Sequence, residues 1–348
     1  MNKRTILFKK LKYAVPVWLS AIKHQALRIL SKIVPAKIAE YSLLESLLTD
    51  QKYWPFSNIN MIYCIEKKIS QLEDPEGANR HLHFRWLNIF DEMFSDLQEC
   101  DVQLPDNFTY LHLGSGVSNS FALPFLVYLG GASKCFVVEP NPAIRDYSTW
   151  YGLQDILLRI CLGEVSSKYF VPPHELLQKV RTFLDANGFL RRETFTRIVN
   201  PETVVFKSEY FEDISDMAPG SIDFLSSRST LEHVSDYESC FDKLEMVMKK
   251  GGVMYHDIGF GSHTLIDSFL MYYIDKSEKE FKDVLGLNEL RLCDFIEEFN
   301  KRRFRCYVVR KDILSNYHLD KNVLKERFCH YSNEDLLCEG ATIICKKI

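Results

Sequence analysis

The sequence has no C-x-x-C pair, although ten cysteines are scattered along its 348 residues. That spacing argues against a zinc site and a disulfide framework, and it points to reduced thiols in a cytosolic protein. No apolar run approaches the ~18 to 20 residues that a membrane span needs, which predicts a chain that does not cross one. A surplus of either charge is missing: 43 Lys and Arg stand against 47 Asp and Glu, so nucleic acid gains no support as the main partner. Internal repeats and low-complexity segments are absent too. What is present is 46% apolar and 26% charged residues, the make-up of a soluble globular protein. The length suits one large domain or two ordinary ones.

One local absence is sharper. From Met1 to Ala39 there is no acid, while Lys3, Arg4, Lys9, Lys10, Lys12, Lys23, Arg28, Lys32 and Lys37 alternate with apolar residues such as Phe8, Trp18 and Leu30. Residues 1–37 can lie on an anionic membrane surface, as basic amphipathic helices do. Equally, they can form a helical extension packed on the body with its lysines in water. A signal peptide does not fit, because no uncharged stretch leads to a small-residue cleavage site.

Residues up to about 100 carry helical patterns. Leucines in Tyr41–Leu48 fall on one face, Ile59–Leu72 repeats the periodicity, Asp74-Pro-Glu-Gly77 predicts a turn, and Leu82 to Leu97 forms another apolar stripe. Arg80, His81, His83 and Arg85, opposite that stripe, read as a solvated face or as the mouth of a site. At Leu104-Pro105 the pattern changes to alternation of strand and helix, so the boundary falls near residue 101: a helical region 1–100, then a domain 101–348 with an insertion at about 152–202. Strands are predicted at Tyr110–Leu113, Cys135–Val138, Thr203–Phe206, Ser221–Ser226, Val253–His256, Phe304–Val309 and Ala341–Cys345. Helices fall between them, one at Tyr237–Lys249 stopped by Gly251-Gly252. Such alternation predicts an α/β fold, a doubly wound, mostly parallel seven-stranded sheet covered by helices on both faces.

The first strand runs into Gly114-Ser115-Gly116 and the second ends in Glu139. Beyond the carboxyl ends of parallel strands, glycines let the backbone approach a ligand, and a following acid can accept hydrogen bonds from two ribose hydroxyls. A third glycine is missing, since Asn119 stands where G-x-G-x-x-G needs it. That argues against a dinucleotide, whose pyrophosphate needs close approach of the helix, and favours a nucleoside without one.

Downstream, Ser221-Ile-Asp-Phe-Leu-Ser-Ser-Arg-Ser-Thr-Leu-Glu-His-Val-Ser-Asp-Tyr237 and Met248-Lys-Lys-Gly-Gly-Val-Met254 closely resemble the Rossmann-like S-adenosylmethionine-dependent methyltransferases. Asp223 begins a strand, Leu231-Glu-His-Val234 forms a turn, and Lys249-Lys-Gly-Gly252 precedes the next strand. With Leu113-Gly-Ser-Gly116 and Glu139, four motifs agree over residues 110–256, less than half of the chain. The resemblance implies S-adenosyl-L-methionine as cofactor, with His112, Gly114, Ser115 and Gly116 at its methionine and ribose part. It places Glu139 on the ribose hydroxyls, Pro140 beside the adenine, and Glu209 (or Asp213) near the adenine amino group. Ser226, Ser227 and Arg228 would face cofactor and substrate, and one of the two last strands would run antiparallel.

Methyl transfer from a sulfonium is an in-line displacement with a neutral leaving group, so alignment supplies much of the effect; a hydroxyl acceptor also needs a base. Tyr255-His-Asp-Ile-Gly-Phe-Gly-Ser-His263 follows strand five, which points to His256 or His263 as base, Asp257 as its orienter, and His233 close by. His256 can instead be a buried, hydrogen-bonded strand residue. No tight ligand spacing supports a metal. The expected activity is O-methylation of a small molecule or glycan precursor, the glycan suggested by aromatics such as Trp86, Tyr147, Trp150 and Tyr272. The alternatives are a non-catalytic binding protein of the same fold and an oxidoreductase with a nucleotide cofactor.

Overall fold

The chain divides into two compact units, Met1–Trp54 and Pro55–Ile348. The computed structural model describes residues 75–116, 120–140, 146–163, 166–191, 194–260, 288–314 and 324–348, all in the second unit. The basic segment 1–37, the patterns over 41–72, Asn119, His263 and Tyr272 lie outside the described residues.

Seven strands form one sheet in the order β3-β2-β1-β4-β5-β7-β6. They are β1 (Thr109–Leu113), β2 (Lys134–Val138), β3 (Val204–Lys207), β4 (Ile222–Arg228), β5 (Met248–Gly259), β6 (Phe304–Ile313) and β7 (Cys338–Lys347). Neighbours from β3 to β5 pair in parallel, and β7 runs antiparallel to both β5 and β6. Chain order reverses direction at β1 and β4, so their carboxyl ends flank the crevice where ligands bind in such sheets.

Side chains alternate along each strand, and the two resulting faces bury two separate cores. One face, with Tyr110, Val137, Phe224 and Tyr255, packs against Phe90, Met93 and Leu97 of helix α1 (Pro75–Glu99) and against helix α2 (Ala122–Leu129). Helix α2 is apolar all round and wholly buried, the expected state of such a helix. Helices α3 (Asp146–Cys161), α4 (Pro173–Phe183) and α5 (Ala186–Arg191) follow β2 in sequence. The other face, with Leu111, Leu225, Met254 and Ile343, packs against Phe241 and Leu244 of α6 (Tyr237–Val247) and Phe295 and Phe299 of α7 (Leu292–Lys301). A last short helix, α8 (Asn333–Leu337), leads into β7.

Polar ties reinforce both layers. Asp96 of α1 is buried and takes both terminal nitrogens of Arg310, at 3.0 and 2.9 Å, together with the Tyr255 hydroxyl at 2.7 Å. The bidentate geometry is the strong form of the pair, and it pins α1 to β5 and β6. Just beyond the end of β5, Arg291 is 1% exposed and its guanidinium donates to the carbonyls of Phe260, Asp335 and Cys338.

Two expectations change. Pro75-Glu-Gly77 is the first turn of α1 rather than a separate turn, because a proline is tolerated where a helix has no N–H bond to lose. Nor do Gly251-Gly252 stop α6. The helix ends at Val247 and β5 starts at Met248, which pairs with Ile222, while Val253 pairs with Phe224. Residues 249–252 therefore bulge out opposite Asp223 alone, with Gly251 at φ +79° making the turn that other residues resist. Asp223 holds the bulge through Lys249 Nζ at 2.7 Å and accepts the Thr109 N–H at 2.8 Å. Among the described residues no helix is long and apolar enough to cross a membrane.

Candidate functional site

At the carboxyl end of β1 the chain turns through Gly114 (φ +68°) and Gly116 (φ +72°). Both values lie in the left-handed region that glycine reaches without steric cost. The Gly114 and Ser115 N–H groups donate to Val138 O, and Gly116 N–H donates to Glu139 Oε2 at 2.7 Å. The turn after β1 and the acid after β2 are thus one hydrogen-bonded unit. Gly114 is closely covered: a Cβ there would lie 2.2 Å from Thr230 Oγ1. At Gly116 a Cβ would meet nothing within 4 Å, so the turn borders open space.

Beneath the turn lies a buried polar cluster. The Tyr110 hydroxyl and Ser226 Oγ are 2.5 Å apart, and His112 Nδ1 lies 3.2 Å from each. Burial pushes the His112 imidazole down to about 4, so it is neutral at physiological pH. Its place is under the cradle, within the sheet.

Beyond β4, Ser229 takes a left-handed conformation (φ +46°) and donates its N–H to Asp257 O. Thr230 then presses on Gly114, and Leu231–His233 forms a tight helical turn. Asp257, at the neighbouring end of β5, is half-buried and paired with Arg228 at 3.2 Å. His233 is exposed on the turn; Glu232 is 2% exposed. Glu232 Oε1 accepts the Gly259 N–H at 3.2 Å, and its Oε2 has no partner. Desolvation raises its carboxyl to about 8.

Several expectations meet this geometry differently. Gly114, Ser115, Gly116 and Glu139 come together, and Pro140 follows half-buried. Glu209 and Asp213 are exposed beyond the end of β3. Ser226 and Ser227, expected to face cofactor and substrate, are both buried, because β4 continues to Arg228 and successive residues of a strand point to opposite faces. Of the three, Arg228 alone reaches the edge.

The structure places His256, expected as a base, inside the sheet. Strand β5 extends to Gly259, not to residue 256, since Asp257, Ile258 and Gly259 pair with Thr342, Ala341 and Gly340 of β7. His256 is therefore 0% exposed, stacked on Phe299 at 5.3 Å, and its Nδ1 lies 2.7 Å from Ser227 Oγ. Asp257 pairs with Arg228 and does not orient it. Burial holds the His256 imidazole down at about 3. Its Nε2 is buried without a partner, so His256→Phe removes one unmet polar group and one hydrogen bond, two opposing terms of about 1 kcal/mol each. We expect methyl transfer from labelled donor within about threefold of wild type and a small shift in thermal midpoint. Loss of transfer in a folded variant that still binds S-adenosylhomocysteine would restore His256 as the base.

Residues 169–256 match the family model described as a methyltransferase domain, a span that runs from before β3 through β4, the Leu231–Val234 turn and most of β5. The sheet order is that of the fold. The matched span is a methyltransferase domain. No curated protein matches the chain significantly. Among solved structures, the chain is similar to the YcgJ protein of Bacillus subtilis, at 12% identity over 76% of this chain and 99% of that one, with a TM-score of 0.39. It is similar to geranyl diphosphate C-methyltransferase of Streptomyces coelicolor, at 11% identity, 75% and 79% coverage and a TM-score of 0.43. A third is phosphoethanolamine N-methyltransferase 2 of Haemonchus contortus, at 13% identity, 74% and 52% coverage and a TM-score of 0.40.

The residues present fit the cofactor of this class. Ser115 Oγ is buried with no partner in the turn, a polar group suited to a ligand atom, and the space beside Gly116 gives backbone access. A carboxylate offers about four acceptor sites, so Glu139 can hold the Gly116 N–H and ribose hydroxyls together. Among the described residues no group of three or more His, Cys, Asp or Glu stands close enough to hold a metal. Sequence reasoning missed Tyr110 and Thr230; the signal for Thr230 was its place between strand four and the Leu231–Val234 turn.

Proposed function

We propose that the methyltransferase transfers the methyl group of S-adenosylmethionine to a small-molecule acceptor, with a hydroxyl as the attacking group. The observation that carries this reading is the 2.7 Å bond from Gly116 N–H to Glu139, which joins the glycine turn and the acid into one cradle at the topological switch point. In this reading Gly114, Ser115 and Gly116 hold the methionine and ribose part of the cofactor, Glu139 the ribose hydroxyls, and Pro140 the flank of the adenine, with Glu209 near its amino group. The cofactor supplies an electrophilic methyl on a sulfonium.

What the chain has to add is alignment and a proton acceptor. Among the described residues at the crevice edge, Asp257 is half-buried and His233 exposed, and either takes the hydroxyl proton as the oxygen attacks. Arg228, paired with Asp257 at 3.2 Å, fixes the place of that carboxylate at the crevice edge. Residues 101–348 are the catalytic domain, with α1 contributing to its core. The near-neutral charge and scattered thiols support a cytoplasmic setting. A glycan acceptor is the narrower form of the proposal.

Mass spectrometry of the protein as purified, without added ligand, tests the first half: S-adenosylhomocysteine or S-adenosylmethionine is expected, and a dinucleotide would overturn the reading. Incubation with labelled donor and fractionated small-molecule extracts tests the second. Label in a small product is expected to fall at least about tenfold in Asp257→Asn or His233→Ala. Label found only in protein or nucleic acid would refute the acceptor class.

A further inference from the structure

Strand β6 is the outermost strand on its side of the sheet, and it carries Cys306 directly opposite Cys345 of β7. Residues opposite one another on antiparallel strands share a face and stand about 4.5 or 5.5 Å apart at Cα. A disulfide requires roughly 4.4–6.8 Å there, so the register alone brings the pair within range. Both side chains face the core that α6 and α7 cover, their thiols touch, and both are free.

The two thiols differ in access. Cys345 is wholly buried, and burial together with the neighbouring sulfur pushes its thiol well up. Cys306 is half-buried on the edge strand, so a small solute reaches it first. Other cysteines are placed differently: Cys135 and Cys338 donate to backbone carbonyls, and Cys329 is exposed with its sulfur on Lys325 O.

The strands gain from being held at this point. Arg305 and Lys346, next to the two cysteines in sequence, are themselves directly opposite each other, and like charges so placed weaken the pairing. The cysteines are 39 positions apart. The chain between them carries α8 and the carbonyls of Asp335 and Cys338 that take the Arg291 guanidinium.

We propose that Cys306 and Cys345 form a reversible oxidation site, which a peroxide closes into a disulfide that staples the edge strand to β7. The Cys306 sulfur attacks one peroxide oxygen. An S–O bond forms, the O–O bond breaks, and the thiol proton leaves with the other oxygen as water or an alcohol. The Cys345 sulfur then attacks the sulfenic acid on Cys306, so an S–S bond replaces the S–O bond and the hydroxyl departs with the Cys345 proton as water. The two thiols together lose two electrons, and the peroxide gains them. In a reducing compartment the pair rests as thiols, and exchange with a small dithiol reopens the bond.

The test uses the full chain, freshly reduced, with a small excess of hydrogen peroxide as probe. After alkylation in denaturant and digestion without reductant, mass spectrometry should find the Cys306 and Cys345 peptides linked, lighter than their sum by two hydrogens. The thermal midpoint should rise by about 5 °C or more, because closing a loop of this length restricts the unfolded chain, and dithiothreitol should reverse both changes. Cys306→Ser, made at the more accessible partner, should show neither change, whereas Cys329→Ser should behave as wild type. Three results would overturn the proposal: both thiols still alkylated once Cys329 is oxidised, Cys306 driven to the sulfinic acid with Cys345 unlinked, or a link from Cys306 to another cysteine. A Cys306–Cys345 link that leaves the midpoint unmoved would refute the staple.

Discussion

Replacement of Glu139 by Ala is expected to weaken S-adenosylhomocysteine binding by about two to three orders of magnitude. The carboxylate has two tasks in the proposed site. It fixes the glycine turn by accepting the Gly116 N–H at 2.7 Å, and it offers its remaining acceptor capacity to the ribose hydroxyls. Hydrogen bonds to a charged acceptor are worth roughly 1.5–3 kcal/mol each when buried, and Glu139 is largely shielded from water. Loss of two such bonds removes about 3 kcal/mol or more, and every 1.4 kcal/mol is tenfold in affinity. Glu139→Gln separates the tasks, because an amide oxygen still accepts from Gly116 while charge and acceptor count both drop; it should fall between wild type and Ala. Calorimetric titration of all three proteins, matched by circular dichroism, checks the order. Affinity of the Ala variant within threefold of wild type would remove Glu139 from the cofactor site.

The cradle was legible in the sequence because each part of it is local. Gly114 and Gly116 mark a turn by their backbone freedom, Glu139 ends a short apolar run, and each lies beside its strand in the chain as well as in space. The seven strands were legible for a similar reason: each is an apolar or alternating run bounded by turn residues. What escaped notice depends on where strands stop and on pairing between distant segments. His256 read as a strand end because Asp257-Ile-Gly259 is polar and glycine-containing, yet those residues pair with Gly340–Thr342 on a strand some eighty positions away. That extension of β5 places His256 in the core rather than at the sheet edge. Likewise, nothing near Asp96 in the chain announces Arg310, and nothing near Glu232 shows that Gly259 and Asn288 close over it. A lone acid in an apolar helical stripe reads as an exposed interruption until its partner is known.

Arg291 is the strongest case of a residue whose role only the fold reveals, and it sets the largest expected loss of stability. It sits at the start of α7 with its guanidinium enclosed, donating at 2.9 Å to Phe260 O, at 2.6 Å to Cys338 O, and through Nε and Nη2 at 3.2 Å to Asp335 O. Phe260 lies against its face at 5.0 Å. The fork thereby joins the residue after β5, the helix α8 and the first residue of β7. Apolar replacement of a buried ion can be neutral when its partners leave with it. Here the partners are backbone carbonyls and cannot leave, so Arg291→Met is expected to destabilise by about 3–5 kcal/mol. Lysine is a single point donor and cannot span the fork, so Arg291→Lys should recover less than half of that loss. Urea denaturation monitored by tryptophan fluorescence and far-ultraviolet dichroism measures both. A Met variant within about 1 kcal/mol of wild type would mean that water or neighbouring donors replace the guanidinium, and that the three carbonyls do not depend on it.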